Sequence, residues 1–298
     1  MMKYVEKIKN IFSTVRQIKT QNHDLRFQIG TLLAKNSRKA QSLREAEFKV
    51  FSQFGDDGII QFLLNRLAIS ADKFVEFGVE NYEESNTRFL LMFNNWRGLV
   101  IDGSESNITY IKNDPLYWRH DLTAVNSFIT VENINQILAD NGFSGRIGVL
   151  SIDIDGNDYW VWQAITVAEA DIVIIEYNSL FGPDRSITVP YKADFNRIMA
   201  HYSGLYFGAS LQALCDLGVK KGYAFVGCNN AGNNAYFVKK SLLNGLATHS
   251  AQEGYINARF REARNIHGDL TFANKKDRLK EIAGMPVIDC NTGIIEPF

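Results

Sequence analysis

The residues best able to do chemistry are carboxylates that close short apolar runs. Glu76 lies in Lys73-Phe-Val-Glu-Phe-Gly-Val79, and Asp102 ends Leu99-Val-Ile-Asp-Gly103. Ser151-Ile-Asp-Ile-Asp-Gly-Asn-Asp158 carries Asp153, Asp155 and Asp158, and Ile175-Glu-Tyr-Asn178 adds Glu176 and Asn178. Like charges this close repel unless a cation or a bound proton compensates. A hard divalent ion takes one or two carboxylates together with waters and substrate oxygens. Asp153, Asp155, Glu176 and the Asn178 amide are therefore candidate ligands for Mg²⁺ or Mn²⁺. The alternative is that Asp155 and Asp158 only turn the chain and cap the next helix. The same acids could take the proton of a hydroxyl that becomes a nucleophile. Asp155 is the first candidate base, with Asp153 beside it. His201 is weaker, since a lone His is more often packed or on the surface.

Glu76 and Asp102 suggest a second ligand. Each ends a β-type run, and Gly78 follows the first, where a chain without a Cβ can approach a ligand closely. Asp102 stands where open α/β sheets hold a ribose, as an ionised acceptor for two hydroxyls. Its alternative is a turn Asp before Gly103. A G-x-G-x-x-G is absent, and Glu76 and Glu80 flank Gly78, so a diphosphate would be repelled there. A sulfonium cofactor, S-adenosylmethionine (SAM), fits better than NAD. Asp121, in Arg-His-Asp-Leu, is a candidate reader of an adenine amino group or else a helix cap.

These residues need a sheet to align them. Strands are expected at 73–77, 98–102, 116–120, 147–153 and 171–177, alternating with helices near 86–95, 105–113, 131–141 and 158–168. That alternation implies a parallel sheet with crossover helices, its strand ends sharing one ligand-binding edge. A helix over 56–67 precedes the first strand. Another near 208–220 leads to Tyr223–Gly227, a turn-rich Cys-Asn-Asn-Ala-Gly-Asn, and Asn234–Val238, which is a β-hairpin pattern. The loop 178–191 could form part of an acceptor lid, where Arg185 and Lys192 could contact a nucleotide-sugar phosphate or else be solvated loop charges. Asn257–Asn265 reads as a charged helix within a tail at 241–298.

Residues 1–40 form a helical arm. Ile8, Val15, Asn22 and Ile29 fall on one heptad position, and Tyr4, Ile11, Ile18, Leu25 and Leu32 on the other. Largely β-branched residues with one Asn favour a parallel two-stranded coiled coil and hence a homodimer. The alternatives are a helix folded onto its own body or lying on an acidic membrane surface. Residues 1–50 hold 11 Lys/Arg against 4 Asp/Glu, and the remainder 21 against 29. A basic arm on an acidic body argues against nucleic-acid binding. Cys215, Cys228 and Cys290 lack zinc spacing, no apolar run reaches membrane-span length, and no leader is visible. A cytoplasmic protein is expected.

Ser52-Gln-Phe-Gly-Asp-Asp-Gly-Ile-Ile60, Phe74-Val-Glu-Phe-Gly-Val79 and Ser151-Ile-Asp-Ile-Asp-Gly156 resemble the FkbM-type SAM-dependent O-methyltransferases, over roughly 50–240. The resemblance implies a Rossmann-like class I methyltransferase: a seven-stranded, mostly parallel sheet with an antiparallel terminal hairpin over 41–240. The helical arm would precede it and a helical extension would follow over 241–298. It implies that Glu76 and Gly78 line the methionine end of SAM, Asp102 the ribose and Asp121 the adenine. Ser85 and Asn86 approach the cofactor, whose methyl points toward Asp153, Asp155 and Glu176. The acceptor it implies is a sugar hydroxyl, free, nucleotide-linked or polymeric, with bacterial capsular heptose among the similar cases. Related metal-dependent enzymes carry an acidic pair after the fifth strand, whereas here Tyr177 and Asn178 follow Glu176. Two alternatives remain. One is a glycosyltransferase using Asp153-Ile-Asp155 as a metal–diphosphate D-x-D, and the other a non-catalytic coiled-coil scaffold.

Overall fold

A computed structural model describes residues 2–69 and 71–298, the side chains of 2–6, 9 and 16 excepted. In chain order the first elements are α1 (Met2–Ser37), α2 (Leu43–Ala46), α3 (Asp56–Arg66), β1 (Lys73–Phe77), α4 (Arg88–Asn94), β2 (Arg97–Asp102), α5 (Glu105–Asn113), α6 (Pro115–Arg119) and β3 (Leu122–Asn126). Then come α7 (Ile134–Asp140), β4 (Gly145–Ile152), α8 (Asp158–Ala164), β5 (Ala168–Glu176), β6 (Ile187–Thr188), α9 (Arg197–Ala200) and α10 (Leu211–Lys220). The chain closes with β7 (Tyr223–Cys228), β8 (Asn234–Lys239), α11 (Ala251–Gly254), α12 (Lys275–Glu281), β9 (Pro286–Asp289) and β10 (Ile295–Pro297).

The main sheet runs β3-β2-β1-β4-β5-β8-β7. β1 to β5 are parallel, and β8 pairs antiparallel with both β5 and β7. This is the Rossmann-like class I methyltransferase arrangement. Its central strands are covered on both faces, so their apolar runs are continuous. Val75, Leu99 and Val173 pack on one face with Leu138, Val161 and Leu214, while Phe74, Val100 and Ile172 pack on the other with Ile60, Leu90 and Ile111. The order reverses between β1 and β4, and ligands of such sheets bind at that crevice.

Three sequence expectations are corrected. Residues 116–120 are mainly helix α6, because Pro115 opens a turn whose Leu116 N–H is capped by the Asp114 carboxylate at 2.8 Å. The third strand follows at Leu122–Asn126. Asn257–Asn265 is extended chain rather than helix. Its backbone lies against Gly232, where a Cβ would stand 2.7 Å from Ala258 N, and the Tyr177 hydroxyl donates to Ile256 O. Residues 241–298 are not a helical extension either, since they contribute β9 and β10 to a second sheet with β6. That sheet belongs to a cap whose own core joins Phe181, Ile187, Val189 and Phe207 to Ala263, Ile282 and Val287.

The arm has two faces. Gly30, Ala34 and Ser37 are buried against the body, with Phe27 edge-on to Phe89. The heptad face looks elsewhere: Ile8, Ile11, Val15, Ile18, Leu25, Ile29 and Leu32 are each more than half exposed. Tyr4 lies outside the residues whose side chains are described. No helix among the described residues is long and apolar enough to cross a membrane.

Candidate active site

A cavity of about 1140 Å³ opens at the carboxyl edge of β1, β2, β4 and β5, roofed by the cap. Glu76, Gly78, Ser85, Asn86, Asp102, Asp153, Asp155, Glu176 and Asn178 all line it, so the sheet gathers nearly every sequence-designated residue into one place.

Asp102 ends β2 with its carboxylate held upright. Oδ2 accepts from Glu80 N at 2.8 Å, and Oδ1 from Ser104 N at 2.8 Å and Asn107 Nδ2 at 3.0 Å. With one donor only, Oδ2 keeps acceptor capacity, as a ribose diol requires, and Asp102 lines the cavity. Glu76 is committed inward. Its carboxylate accepts from Asn86 N at 2.8 Å, from Thr87 N at 3.0 Å and from the Thr87 hydroxyl, which fixes the entry to α4. Burial raises its pKa, with the Thr87 hydrogen bond opposing. Gly78 has φ +69°, and a Cβ there would meet Asp153 O at 1.7 Å. The close approach that demands glycine is between the β1 and β4 turns themselves.

Asp153, Asp155 and Glu176 bring one carboxylate oxygen each within 4.8 Å of one another. Asp155 is exposed, in a left-handed conformation (φ 56°), with Oδ1 2.8 Å from Arg197 Nη1. Arg197 stacks over Phe207, 3.9 Å from the ring centroid. Asp153 and Glu176 are half-buried, and Glu176 Oε2 has no hydrogen-bond partner among the described residues. Burial first, and the neighbouring acids second, push both well above the usual carboxylate range, with Arg197 opposing. One guanidinium facing three carboxylates leaves room for a proton or a cation. Asp158 is the turn-holder: Oδ1 accepts from Ile154 N and Oδ2 from Gly156 N, both at 2.9 Å, and burial raises it to about 6.

Three designated residues serve elsewhere. Asp121 precedes β3 at its amino-terminal end, opposite the cavity, exposed and 3.8 Å from Arg97, so it does not read the cofactor. Ser127 and Phe128, just after β3, line the cavity instead. His201 follows α9 outside the cavity, with Nδ1 2.7 Å from Ser203 Oγ and burial lowering its pKa. The Asn178 amide donates to Leu205 O and Phe207 O at 2.9 and 3.0 Å, and its oxygen accepts from Leu180 N at 3.0 Å. It pins the cap, so it does not serve as a ligand to an ion.

Gln53 and Phe54 also line the cavity, and the motif around them is their scaffold. Asp57 Oδ2 accepts from Val50 N, Phe51 N, Ser52 N and Ser52 Oγ at 2.7–2.9 Å, and burial raises it to about 6. The buried Asp56 accepts from Asn229, Asn234 and Tyr236 of the terminal hairpin. The residues adjacent to an acid pair at a helix start were the available signal for this wall. Arg185 pairs with Glu296 at 2.6 Å and Lys192 with Asp194 at 3.3 Å.

No protein-family model matches the chain, and no curated protein does. Solved structures are similar to it at a distance. A SAM-dependent methyltransferase from Clostridium acetobutylicum has TM-score 0.32 and 12% identity over 43% of this chain and 51% of that one. TehB from Haemophilus influenzae has 0.35 and 12% over 58% and 59%. The N-terminal domain of EvdMO1, solved with SAH and D-fucose, has 0.40 and 9% over 69% and 93%. The matched region thus spans little more than half of the first two proteins. The function rests on the geometry of this site.

Proposed function

We propose that the chain is a SAM-dependent O-methyltransferase acting on a sugar hydroxyl. The observation that carries this reading is the cavity at the sheet edge that Asp102 and the acid triad line together. SAM fits it: Asp102 offers the ribose acceptor, no phosphate-binding loop is present, and the acidic strand ends suit a sulfonium. When bound, SAM supplies an electrophilic methyl group. The chain's part is to orient the acceptor oxygen in line with that methyl and to remove its proton. Glu176 Oε2 is the candidate base, since Glu176 lines the cavity and this oxygen has no hydrogen-bond partner among the described residues. Asp153 shares its charge, and Asp155 positions Arg197 rather than taking the proton. Phe195 and Phe207 offer apolar faces beside carboxylates, a combination suited to a polyhydroxylated ring. The motif resemblance favours a sugar of a bacterial surface polysaccharide, heptose included.

The test is calorimetry with SAM and S-adenosylhomocysteine, followed by mass spectrometry for a methyl gain on a panel of sugars. Absence of SAM binding sinks the reading, and a methyl on carbon corrects the atom. A second reading adds Mg²⁺ or Mn²⁺ on Asp153, Asp155 and Glu176, favoured by their 4.8 Å grouping. It requires EDTA to abolish turnover and added metal to restore it. The exposed heptad face supports assembly as a parallel homodimer through α1.

A further inference from the structure

The cavity is charged in two halves. Its acids sit mainly on and just beyond the ends of β1, β2, β4 and β5, and four of its five cations, Arg259, Arg261, Arg264 and Arg278, come from residues 259–278 of the cap. Arg278 is the telling one. It is 6% exposed, Nη1 donates to Phe260 O at 2.5 Å, and Nε has no partner among the described residues. No carboxylate pairs with it among those residues. A guanidinium cannot shed its charge, so burying one without a counter-ion is costly unless an anion arrives. Arg259 likewise has no ion pair among the described residues. Arg261 lies over the Phe272 ring at 5.7 Å. Arg264 is only partly compensated, with Glu262 at 3.8 Å and Gly268 O at 2.8 Å. Of the segment's acids, Glu262 lines the cavity with these four arginines, while Asp269 and Asp277 do not.

We infer that this arginine segment is a phosphate site and that the acceptor sugar is held by a phosphate or diphosphate group. The inference rests on the methyltransferase reading for the word acceptor, but not for the anion site itself. The cavity exceeds the roughly 300–1,000 Å³ usual for one ligand, so cofactor and a second molecule fit side by side. Guanidinium forks match phosphate oxygens in pairs. Four guanidiniums grouped on one stretch of the cavity wall match the several oxygens of a phosphoryl group better than the two of a uronate. The acidic half holds the sulfonium and the basic half the phosphate, so the sugar ring between them is presented to Glu176.

The experiment is calorimetry on the full chain saturated with S-adenosylhomocysteine. It is titrated separately with inorganic pyrophosphate, UDP, a hexose 1-phosphate and a neutral hexose. The expected result is binding of the phosphate-bearing probes well ahead of the neutral hexose, weakening as salt rises from about 50 to about 500 mM. Arg259→Ala/Arg261→Ala, both exposed, should weaken pyrophosphate roughly tenfold with S-adenosylhomocysteine affinity unchanged. Arg278→Gln should cost at least as much. Because Arg278 is buried and that variant can lose the fold, the exposed pair decides the matter. Tighter UDP assigns a nucleotide-linked source, and tighter hexose 1-phosphate a free sugar phosphate. Equal binding of neutral and phosphorylated sugars, or unchanged pyrophosphate affinity in the double variant, overturns the proposal. So does pyrophosphate binding that needs Mg²⁺ and disappears in Asp153→Asn alone. Failure of S-adenosylhomocysteine to bind while pyrophosphate still does would refute the methyltransferase reading and leave the phosphate site standing.

Discussion

At the scale of single residues, each carboxylate's role follows from what its oxygens already hold. Asp102 lines the cavity with acceptor capacity left, so Asp102→Ala should weaken SAM binding roughly ten- to hundredfold, the worth of a charge-assisted hydrogen bond. Calorimetry checks it, and an unchanged affinity removes Asp102 from the site. Gly78→Ala should instead cost stability, by several kcal/mol if the turns cannot part, since its Cβ would fall 1.7 Å from Asp153 O at a positive φ. Thermal melting measures that. The sequence made Asp102 legible because a strand end fixes where its side chain lies. It could not tell Glu76's inward bonds to Asn86 and Thr87 from outward bonds to a ligand, since both need a buried acceptor at the same place. The strand expected at 116–120 lies at 122–126, and that shift sets Asp121 at the other end of the sheet.

At the scale of elements, apolar periodicity located β1, β2, β4, β5 and the β7–β8 hairpin closely. It failed where tertiary contact overrides local preference. Residues 257–265 have helix-forming composition, yet Gly232, Tyr177 and Arg278 hold them extended, and that is how their arginines reach the cavity. The arm shows the reverse. Its heptad stripe was plain in the sequence, while the second stripe through Phe27, Gly30 and Ala34 was visible only once the body stood beside it. Removing residues 1–40 would therefore strip core contacts as well as the coil. A cleaner test is Ile11→Asp/Ile18→Asp, on the exposed face. Light scattering should show the assembly reduced to monomers with the melting temperature of the body kept. A dimer that survives places the interface elsewhere.

For the whole molecule, buried acids make stability fall with pH. Burial raises Asp57 and Asp158 to about 6 and lifts Asp153 and Glu176 well above the usual range. The folded chain therefore keeps protons that the unfolded chain releases at about pH 4. The contribution is whole below that pH and is lost as pH rises through the raised values, about 6 for Asp57 and Asp158. Melting temperature in EDTA should drop between about pH 5 and about pH 7.5, and less steeply in Asp153→Asn. If the triad takes a divalent ion, Mg²⁺ should restore more stability at the upper pH than at the lower. Equal slopes in both proteins would place the pH dependence outside the triad.

The knot at Asp56 has a kinetic consequence. Its partners Asn229, Asn234 and Tyr236 lie 173, 178 and 180 residues further along the chain. Contacts so distant in sequence form only after the intervening chain has condensed, because loop closure must precede any gain from them. The wall bearing Gln53 and Phe54 is therefore a late arrival in folding, set after the strands that carry Asp102 and Asp153. An Asp56→Ala variant should accelerate unfolding far more than it slows refolding, as stopped-flow fluorescence would resolve. Cofactor affinity during refolding should then appear in two stages, with the ribose end formed before the wall closes over it.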